Sequence, residues 1–260
     1  MKFGICTSVD NAAAVKAAGA DFVEEGVGGY FQAQAPDSDW TGLTRTKTAP
    51  LPVPAANSLV PGTMKIVGPE VNRQGLRDFI DTVVRRAAQT GTRMLVFGSG
   101  GARKVPDGFD RNQAKSQIID FLNDCAAIAS RHGVTFVIEP LNRKECNIIN
   151  SVAEAMEYVR AVNHPNIQCL VDSYHLWEEN EPVENVRAAM PWIKHVHVAD
   201  LVGRVAPGES GQADYLPLFS ILKAAKYDGL VSIEASKFND LSNVGPRVIK
   251  YLKQQWEQAS

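Results

Sequence analysis

Apolar and polar positions follow two alternating patterns along the chain. Short runs rich in β-branched residues, each bounded by turn formers, predict strands at residues 2–8, 21–27, 53–58, 93–99, 135–140, 167–173, 193–200 and 230–236. Longer segments with a helical spacing of apolar residues lie between them, at 76–91, 112–133, 151–162, 215–229 and 241–258. Regular alternation of strand and helix predicts parallel strands, because each helix returns the chain to the same end of the sheet.

The number of strand–helix units decides between two parallel architectures. Eight units in 260 residues fit a (β/α)8 TIM barrel better than a doubly wound sheet, which usually has fewer strands. The first strand is also not followed by the Gly-x-Gly-x-x-Gly segment of dinucleotide-binding folds. We therefore expect an α/β fold, one TIM-barrel domain over residues 1–260. Residues 28–52 have poor helical periodicity and should form an enlarged second connection over the barrel mouth.

Charge and composition narrow the choice of partners. The net charge is −2 and the isoelectric point is near 6.2, without the basic stripe that nucleic acids or anionic membranes require. The first residues lack the apolar core of a signal peptide, and no window approaches the ~18 apolar residues of a membrane span. The four cysteines are widely spaced, as in reduced proteins. We expect a cytoplasmic protein with a small-molecule substrate and with neither a nucleic-acid nor a membrane partner.

Polar residues end the last four predicted strands, where the active site of a TIM barrel lies. They are Glu139, Asp172, His197 and Glu234, at intervals of about one strand–helix unit. Strand alternation puts each of them on one face with the residue two positions earlier, and this face is the barrel lumen if the assignment holds. Those earlier residues are Val137, Leu170, His195 and Ser232.

Three carboxylates in one partly buried pocket repel one another and lose hydration energy, so a cation should lie among them. Oxygen-rich ligation with one imidazole suits Mn²⁺, our first choice, or Mg²⁺ or Co²⁺, and Zn²⁺ is compatible. A single acidic residue at a strand end is usually a helix cap or a solvated loop residue. Four such residues in register at successive strand ends favour one divalent metal site instead.

Four segments resemble the xylose-isomerase-like TIM-barrel superfamily of sugar isomerases and epimerases, most closely its hydroxypyruvate isomerase and ketose 3-epimerase branches. They are VIEPLNRKECNIIN, LVDSYH, HVHVADLVGRVAPGESGQADY and DGLVSIEAS, and residues 54–70 and 96–111 are also similar. The resemblance implies that Glu139, Asp172, His197 and Glu234 hold one divalent metal. It also makes Glu139 and Glu234 the catalytic proton-transfer pair, and His175, Glu145 and Arg204 substrate-binding residues.

The implied function is a divalent-metal-dependent isomerase or epimerase of a small sugar, ketose or hydroxy-keto acid. Carboxylate-mediated proton transfer would proceed through a metal-stabilised enediolate. His197 is typical of the epimerases, since hydroxypyruvate isomerases often carry Gln there, whereas the spacing from His197 to Arg204 resembles the hydroxypyruvate isomerases. The two branches therefore stay open, and a homo-oligomer, dimer or tetramer, is compatible with the resemblance.

Three other functions deserve comparison. A dehydratase or lyase acting on a keto sugar would use the same barrel and the same pair of carboxylates. A repair nuclease of the endonuclease IV type would need more histidines in the first half of the chain, where the first histidine is His132. A barrel that only binds sugar is disfavoured because the whole ligand set is present.

Three expectations concern residues around the ligands. His195 and His197 should both face the lumen, with His197 ~6–7 Å nearer the mouth as the ligand and His195 hydrogen-bonded to Ser232. One of the consecutive Glu24 and Glu25 should face the lumen, as a structural acceptor or a substrate contact. The basic residues Arg103, Lys104, Arg143 and Arg204 could lie near the mouth and accept a carboxylate or phosphate, although a solvated loop would equally explain Arg103 and Lys104.

Overall fold

Eight parallel strands close into a barrel in the computed structural model, which describes residues 1–236, 238 and 240–260. Each strand pairs with the next one along the chain, and the last pairs with the first. The strands are β1 Lys2–Cys6, β2 Phe22–Gly26, β3 Ala55–Asn57, β4 Met94–Phe97, β5 Thr135–Ile138, β6 Ile167–Asp172, β7 Ile193–Val198 and β8 Leu230–Ile233. All eight predicted strands are present, each ending somewhat earlier than the sequence pattern indicated.

Helices surround the barrel in the described part of the chain. They are α1 Ala12–Ala17, α2 Val27–Phe31, α3 Gly42–Thr48, α4 Arg73–Thr90, α5 Gly100–Arg103, α6 Arg111–Ala129, α7 Val152–Val162, α8 Ser173–Glu178, α9 Val183–Ala189, α10 Leu216–Ala224 and α11 Leu241–Gln258. The five predicted helices correspond to α4, α6, α7, α10 and α11. The short helices escaped prediction because one or two turns do not establish a periodicity. None of the described helices has the length and apolar character needed to cross a bilayer.

Side chains alternate between the lumen and the surrounding helices. Val96, Val137 and Leu170 pack against one another inside the barrel as a small apolar cluster, separate from the main core between strands and helices. This arrangement places Val137 and Leu170 on the lumen face, as expected. Gly4 is required in the lumen because a Cβ atom there would lie 2.2 Å from the Phe22 ring. Side chains therefore fill the lower lumen, and the cavity that could take a ligand lies at the C-terminal mouth.

A buried arginine fixes the long connection between β2 and β3. Arg86 of α4 is 1% exposed and donates to the carbonyl oxygens of Phe31, Gln32 and Ala35 and to the carboxylate of Asp37. These bonds satisfy backbone acceptors that would otherwise be buried without partners. Residues 32–35 are thereby held at the barrel mouth, where they line its cavity.

Candidate metal centre and active site

The ends of β5 to β8 bring four side chains together, which we call the ligand group. They are Glu139, Asp172, His197 and Glu234, and each offers a ligand atom within 4.8 Å of the others. Strand register causes this meeting, since Asp172 pairs directly with His197 and Glu234 follows β8, its amide bonded to the Val198 carbonyl. The first three residues are buried, whereas Glu234 is partly exposed to the cavity.

The ligand group fits a divalent cation. Asp172 Oδ2 is buried and has no hydrogen-bond partner among the described residues, which is costly unless a cation satisfies it. Gly98 leaves space for the Glu139 carboxylate, because a Cβ atom there would lie 2.2 Å from Glu139 Oε2. Three carboxylates and one imidazole are hard oxygen and nitrogen donors of the kind that Mn²⁺ and Mg²⁺ accept.

The two possible proton-transfer groups differ in acidity. Burial and the charge of Glu234 raise the pKa of Glu139. Burial also acts to raise the pKa of Glu234, but His197 and Arg204 outweigh it and lower this pKa to about 2. Glu139 is therefore the weaker acid of the two, and such a difference in acidity is typical of carboxyl pairs that act as general acid and general base.

Glu24 and Glu25 of β2 point to opposite sides of the barrel wall. Glu24 is fully buried in the lumen, where its carboxylate accepts from His195 Nε2 at 2.6 Å and from His197 Nε2 at 2.9 Å. Glu25 instead accepts from the amide of Val9 at 2.6 Å. The expectation that one of the pair faces the lumen as a structural acceptor is therefore met by Glu24.

The expected bond between His195 and Ser232 is absent, and Ser232 Oγ has no partner within the described chain. His195 Nδ1 lies 3.2 Å from the Leu230 carbonyl oxygen, while its Nε2 faces the Glu24 carboxylate. Both neighbours are acceptors, so each ring nitrogen of His195 faces an oxygen to which a ring N–H can donate. Burial acts to raise the pKa of Glu24, but His197 and His195 outweigh it and hold it well below its usual value. The expectation was wrong because the buried Glu24 carboxylate is a stronger acceptor for a ring N–H than the Ser232 hydroxyl.

The same carboxylate determines which nitrogen of His197 faces the ligand group. Nε2 is hydrogen-bonded to Glu24, so Nδ1 is the ring nitrogen available to a cation. Nδ1 is 3.3 Å from Glu139 Oε1 and 3.4 Å from Glu234 Oε2. His197 thus presents its free nitrogen to the other ligands, as a metal-binding histidine with a carboxylate partner does.

Cys6, Glu24 and His197 form a second possible group of ligands. Burial and the charge of Glu24 raise the pKa of the Cys6 thiol well above its usual value, which disfavours the thiolate that binds metals. Glu24 is also occupied by the two imidazoles. The four-residue ligand group is therefore the better candidate.

Arg204 lies beside the ligand group and is paired with several carboxylates. Its Nη2 donates to Glu234 Oε2 at 2.6 Å and lies 3.6 Å from Asp172 Oδ2, while Nη1 lies 3.3 Å from Glu145 Oε1. The guanidinium also stacks over the Tyr174 ring at 4.7 Å. The structure therefore brings the predicted pair Arg204 and Glu145 to the edge of the site.

His175 is buried next to the ligand group with one nitrogen unsatisfied. Its Nδ1 lies 3.1 Å from the Asn142 amide nitrogen, a donor, so Nδ1 accepts and the ring proton is on Nε2. Nε2 has no hydrogen-bond partner among the described residues and lies 3.7 Å from Asp172 Oδ2. His175 thus offers an N–H donor at the site, and Asn142, which fixes the tautomer, was not singled out from the sequence.

The other basic residues named from the sequence do not face the site. Arg103 is fully buried and donates to the carbonyl oxygens of Phe97 and Glu139, so it supports the wall from behind. Arg143 forms an ion pair with Glu179, and Lys104 lines a separate surface depression. The expectation of several cations at the mouth was wrong, and so was the alternative of a solvated Arg103. Arg103 ends the short α5 and donates to buried carbonyl groups instead.

Asn57 is a site residue that the sequence reasoning missed. It is the last residue of β3, and its amide nitrogen donates to Glu234 Oε1 at 3.2 Å. The rule that identified the ligand group, a polar residue at a strand end, applies equally to this position. It was overlooked because an uncharged amide gives no electrostatic argument for a metal.

A cavity of about 690 Å³ opens at the mouth beside the ligand group. One side is lined by Glu139, Leu141, Glu145, Arg204 and Glu234. The opposite side consists of residues from the connections that follow β2, β3 and β4. The cavity volume lies in the upper part of the ~300–1,000 Å³ range of small-molecule sites.

Known proteins match the chain over parts of its length. The profile of the family described as xylose isomerase-like TIM barrel matches residues 12–255. A mouse (Mus musculus) protein provisionally named hydroxypyruvate isomerase is 28% identical over 142 residues, 51% of this chain and 51% of that protein. The 3-dehydro-D-guloside 4-epimerase of Escherichia coli is 33% identical over 121 residues, 46% of this chain and 45% of the enzyme. The chain thus matches about half the length of these curated relatives.

A solved structure resembles the chain over nearly its whole length. The D-allulose 3-epimerase of Methylomonas sp., in complex with D-allulose, superposes with a TM-score of 0.84 at 20% identity and covers 98% of this chain and 97% of that chain. At this identity the likeness establishes the fold alone and confirms the predicted TIM barrel. The profile match establishes the relationship, and the chain belongs to the xylose isomerase-like TIM barrel family.

Proposed function

We propose that this protein is a divalent-metal-dependent isomerase or epimerase of a ketose, keto sugar or hydroxy-keto acid. The observation that carries the proposal is the pair Glu139 and Glu234, two carboxyl groups of unequal acidity in one ligand group at the cavity wall. Carbonyl migration and inversion next to a carbonyl both require a C–H proton to be removed and returned. The hydroxypyruvate isomerase and epimerase names of its relatives are consistent with this chemistry.

Each residue of the site has a role in this proposal. Glu139, Asp172, His197 and Glu234 would hold the cation, for which Mn²⁺ is our first choice. A bound divalent cation supplies positive charge that stabilises the negative charge developing on the substrate oxygens.

The remaining steps belong to side chains. Glu234, as the ionised carboxylate, accepts the proton from carbon, and Glu139, whose pKa is raised, returns a proton. His175 donates its free Nε2–H to a substrate oxygen. Arg204 and Glu145 orient hydroxyl groups at the edge of the cavity.

Solvent deuterium incorporation tests the proposal. The Mn²⁺-loaded protein in D₂O should exchange a carbon-bound proton on at least one member of a panel of ketoses, keto sugars and hydroxypyruvate. Glu139→Gln and Glu234→Gln should each slow this exchange by roughly 10²–10⁴-fold, because Gln can neither accept nor return the proton. Glu209→Gln is the control, since Glu209 pairs with Arg247 outside the ligand group.

Metal content decides how a loss of exchange is interpreted. Elemental analysis of each variant separates a missing metal from a missing proton acceptor. A wild-type protein that binds Mn²⁺ and exchanges no proton on the whole panel would contradict the proposal.

A second candidate is a dehydratase or lyase acting on a keto sugar. The raised pKa of Glu139 beside the ionised Glu234 favours it, since elimination needs an acid for the leaving oxygen and a base for the C–H proton. Mass analysis of the product distinguishes the two candidates. An isomer keeps the substrate mass, whereas elimination gives an unsaturated ketone together with water or an alcohol.

A further inference from the structure

We propose that the substrate is an uncharged glycoside, with its keto sugar ring at the ligand group and its second, neutral group in the opposite half of the cavity. We call this half the neutral half. It is lined by residues 32–35, 58–62 and 98–101 together with Gly28 and Phe79. The inference rests on the proposed function and specifies its substrate class.

Topology separates the neutral half from the reacting centre. The ligand group comes from β5 to β8, whereas the neutral half follows β2, β3 and β4 across the barrel mouth. A substrate that reaches both must therefore extend from one side of the mouth towards the other. A three-carbon keto acid held at the ligand group would leave the neutral half to water.

The size of the cavity indicates a ligand larger than one sugar ring. About 690 Å³ is more than twice the lower limit of ~300 Å³ for small-molecule sites, which typically bury most of a drug-sized ligand. A keto sugar ring with a second ring or aglycone has that size.

The chemistry of the neutral half excludes an anionic group there. Its lining residues include none with an ionisable side chain. Lys65 touches two of them, but its ammonium donates to the carbonyl oxygens of Gly62 and Gly101. Arg204, the cation on the other side, is already paired with Glu234 and Glu145. A phosphate or carboxylate would thus find no counter-charge among the lining residues of the neutral half, and it would meet several carboxylates on the other side.

Neutral polar and apolar groups are both available for a glycoside. The Gln32 carboxamide oxygen accepts from Thr41 N at 3.1 Å, and its nitrogen has no partner among the described residues. It can therefore donate to a hydroxyl oxygen. Phe79, Leu59 and Val60 add apolar surface for the C–H face of a ring or for an aryl aglycone.

Two adjacent glycines allow the neutral half to be narrowed with a matched control. Gly28 and Gly29 both lie in α2, both are exposed, and an added Cβ atom meets nothing within 4 Å at either position. Gly28 lines the cavity, whereas Gly29 is not among the lining residues. Gly28→Leu should place its side chain in the neutral half, and Gly29→Leu should add the same side chain outside it.

Calorimetric titration of the Mn²⁺-loaded protein provides the test. The probes are 3-keto-D-glucose, its phenyl β-glycoside, its 6-phosphate and hydroxypyruvate. Wild-type protein should bind the glycoside about tenfold or more tightly than the free sugar, and both anionic probes more weakly than either. Gly28→Leu should lower glycoside affinity about tenfold more than free-sugar affinity, while Gly29→Leu should change neither.

The outcomes separate this inference from the proposed function. Equal affinities for free sugar and glycoside, or equal effects of the two leucine variants, overturn the inference. Tight binding of either anionic probe overturns it as well. A failure of both neutral probes to bind overturns it too. In each of these cases the proposed function survives if the Mn²⁺-loaded protein still exchanges a carbon-bound proton on another member of the panel, and it fails if no member of the panel is exchanged.

Discussion

The two sides of the barrel mouth are built from the same strand–helix unit, yet they differ in charge. The ends of β5 to β8 carry Glu139, Asp172, His197 and Glu234, with Arg204 paired among them. The connections after β2, β3 and β4 contribute only uncharged lining residues to the cavity. Beneath both, the buried Glu24 joins the imidazoles of His195 and His197.

This difference separates two tasks. The charged side is fixed by strand register, which suits chemistry that needs atoms held at defined distances. The uncharged side consists of connections, which vary without disturbing the barrel and therefore suit the choice of substrate. Substitutions on the uncharged side should therefore change glycoside binding and leave Mn²⁺ affinity unchanged.

Replacing the two histidines should give the largest contrast. His197→Ala removes one of the four proposed ligands and should lower Mn²⁺ affinity by more than the roughly 10–100-fold that loss of an outer partner costs. His195→Ala leaves the buried Glu24 carboxylate without its 2.6 Å partner, so it should mainly lower the free energy of unfolding, by roughly 3–5 kcal/mol. Metal titration and chemical denaturation measure the two effects. Equal losses of Mn²⁺ affinity in both variants would contradict the assignment of His197 as the ligand.

Glu24→Gln should produce the next largest effect, on metal affinity rather than on folding alone. The substitution removes the charge that keeps the His197 proton on Nε2, and Mn²⁺ affinity should fall about 10–100-fold. Glu25→Gln is a matched control, since Glu25 is also buried but bonds to Val9 and Arg45 on the other side of the wall. Both variants should lose stability, and only Glu24→Gln should lose metal. Unchanged Mn²⁺ affinity in Glu24→Gln would show that Glu24 does not position His197.

The sequence predicted the charged side better than the uncharged side. Strand ends and period-two alternation placed Glu139, Asp172, His197 and Glu234 together, because parallel strands leave little freedom in register. The faces of Val137 and Leu170 followed from the same rule.

Contacts between distant strands were harder to predict. The bond from His195 to Glu24 joins β7 to β2 across the lumen, and strand pairing alone does not show which residues meet there. The burial of Arg103 depends on carbonyl groups at the end of β4 and in the connection after β5, whose path the periodicity did not define. The short α2 and α3 in the second connection were missed for a similar reason, and with them the uncharged wall of the cavity.

Arg86→Met tests the uncharged side. The loss of bonds to the Phe31, Gln32 and Ala35 carbonyl oxygens should lower the free energy of unfolding by roughly 2–4 kcal/mol. It should also weaken glycoside binding, because residues 32–35 line the cavity, while Mn²⁺ affinity stays at the wild-type value. Arg85→Met is the control, since Arg85 shares only the exposed Asp37 contact. A large loss of Mn²⁺ affinity in Arg86→Met would show that the two sides are coupled.

Asp37 should give the smallest effect, and one that depends on pH. Hydrogen bonds from Arg85 and Arg86 lower the pKa of Asp37 to about 2, from an ordinary value of 3.8. Its contribution to stability should therefore be complete above about pH 4 and lost as the pH falls towards 2. Asp37→Asn should lower Tm by on the order of a degree or two at pH 6, because the carboxylate is exposed, and the difference from wild type should shrink on acidification. Asp39→Asn is the control variant, since the Asp39 carboxylate accepts from Ser38 and not from the two arginines. The contrary outcome is a difference in Tm between Asp37→Asn and wild type that stays constant from pH 6 to pH 3. That result would show that the ionised carboxylate does not help Arg86 to hold the connection over the cavity.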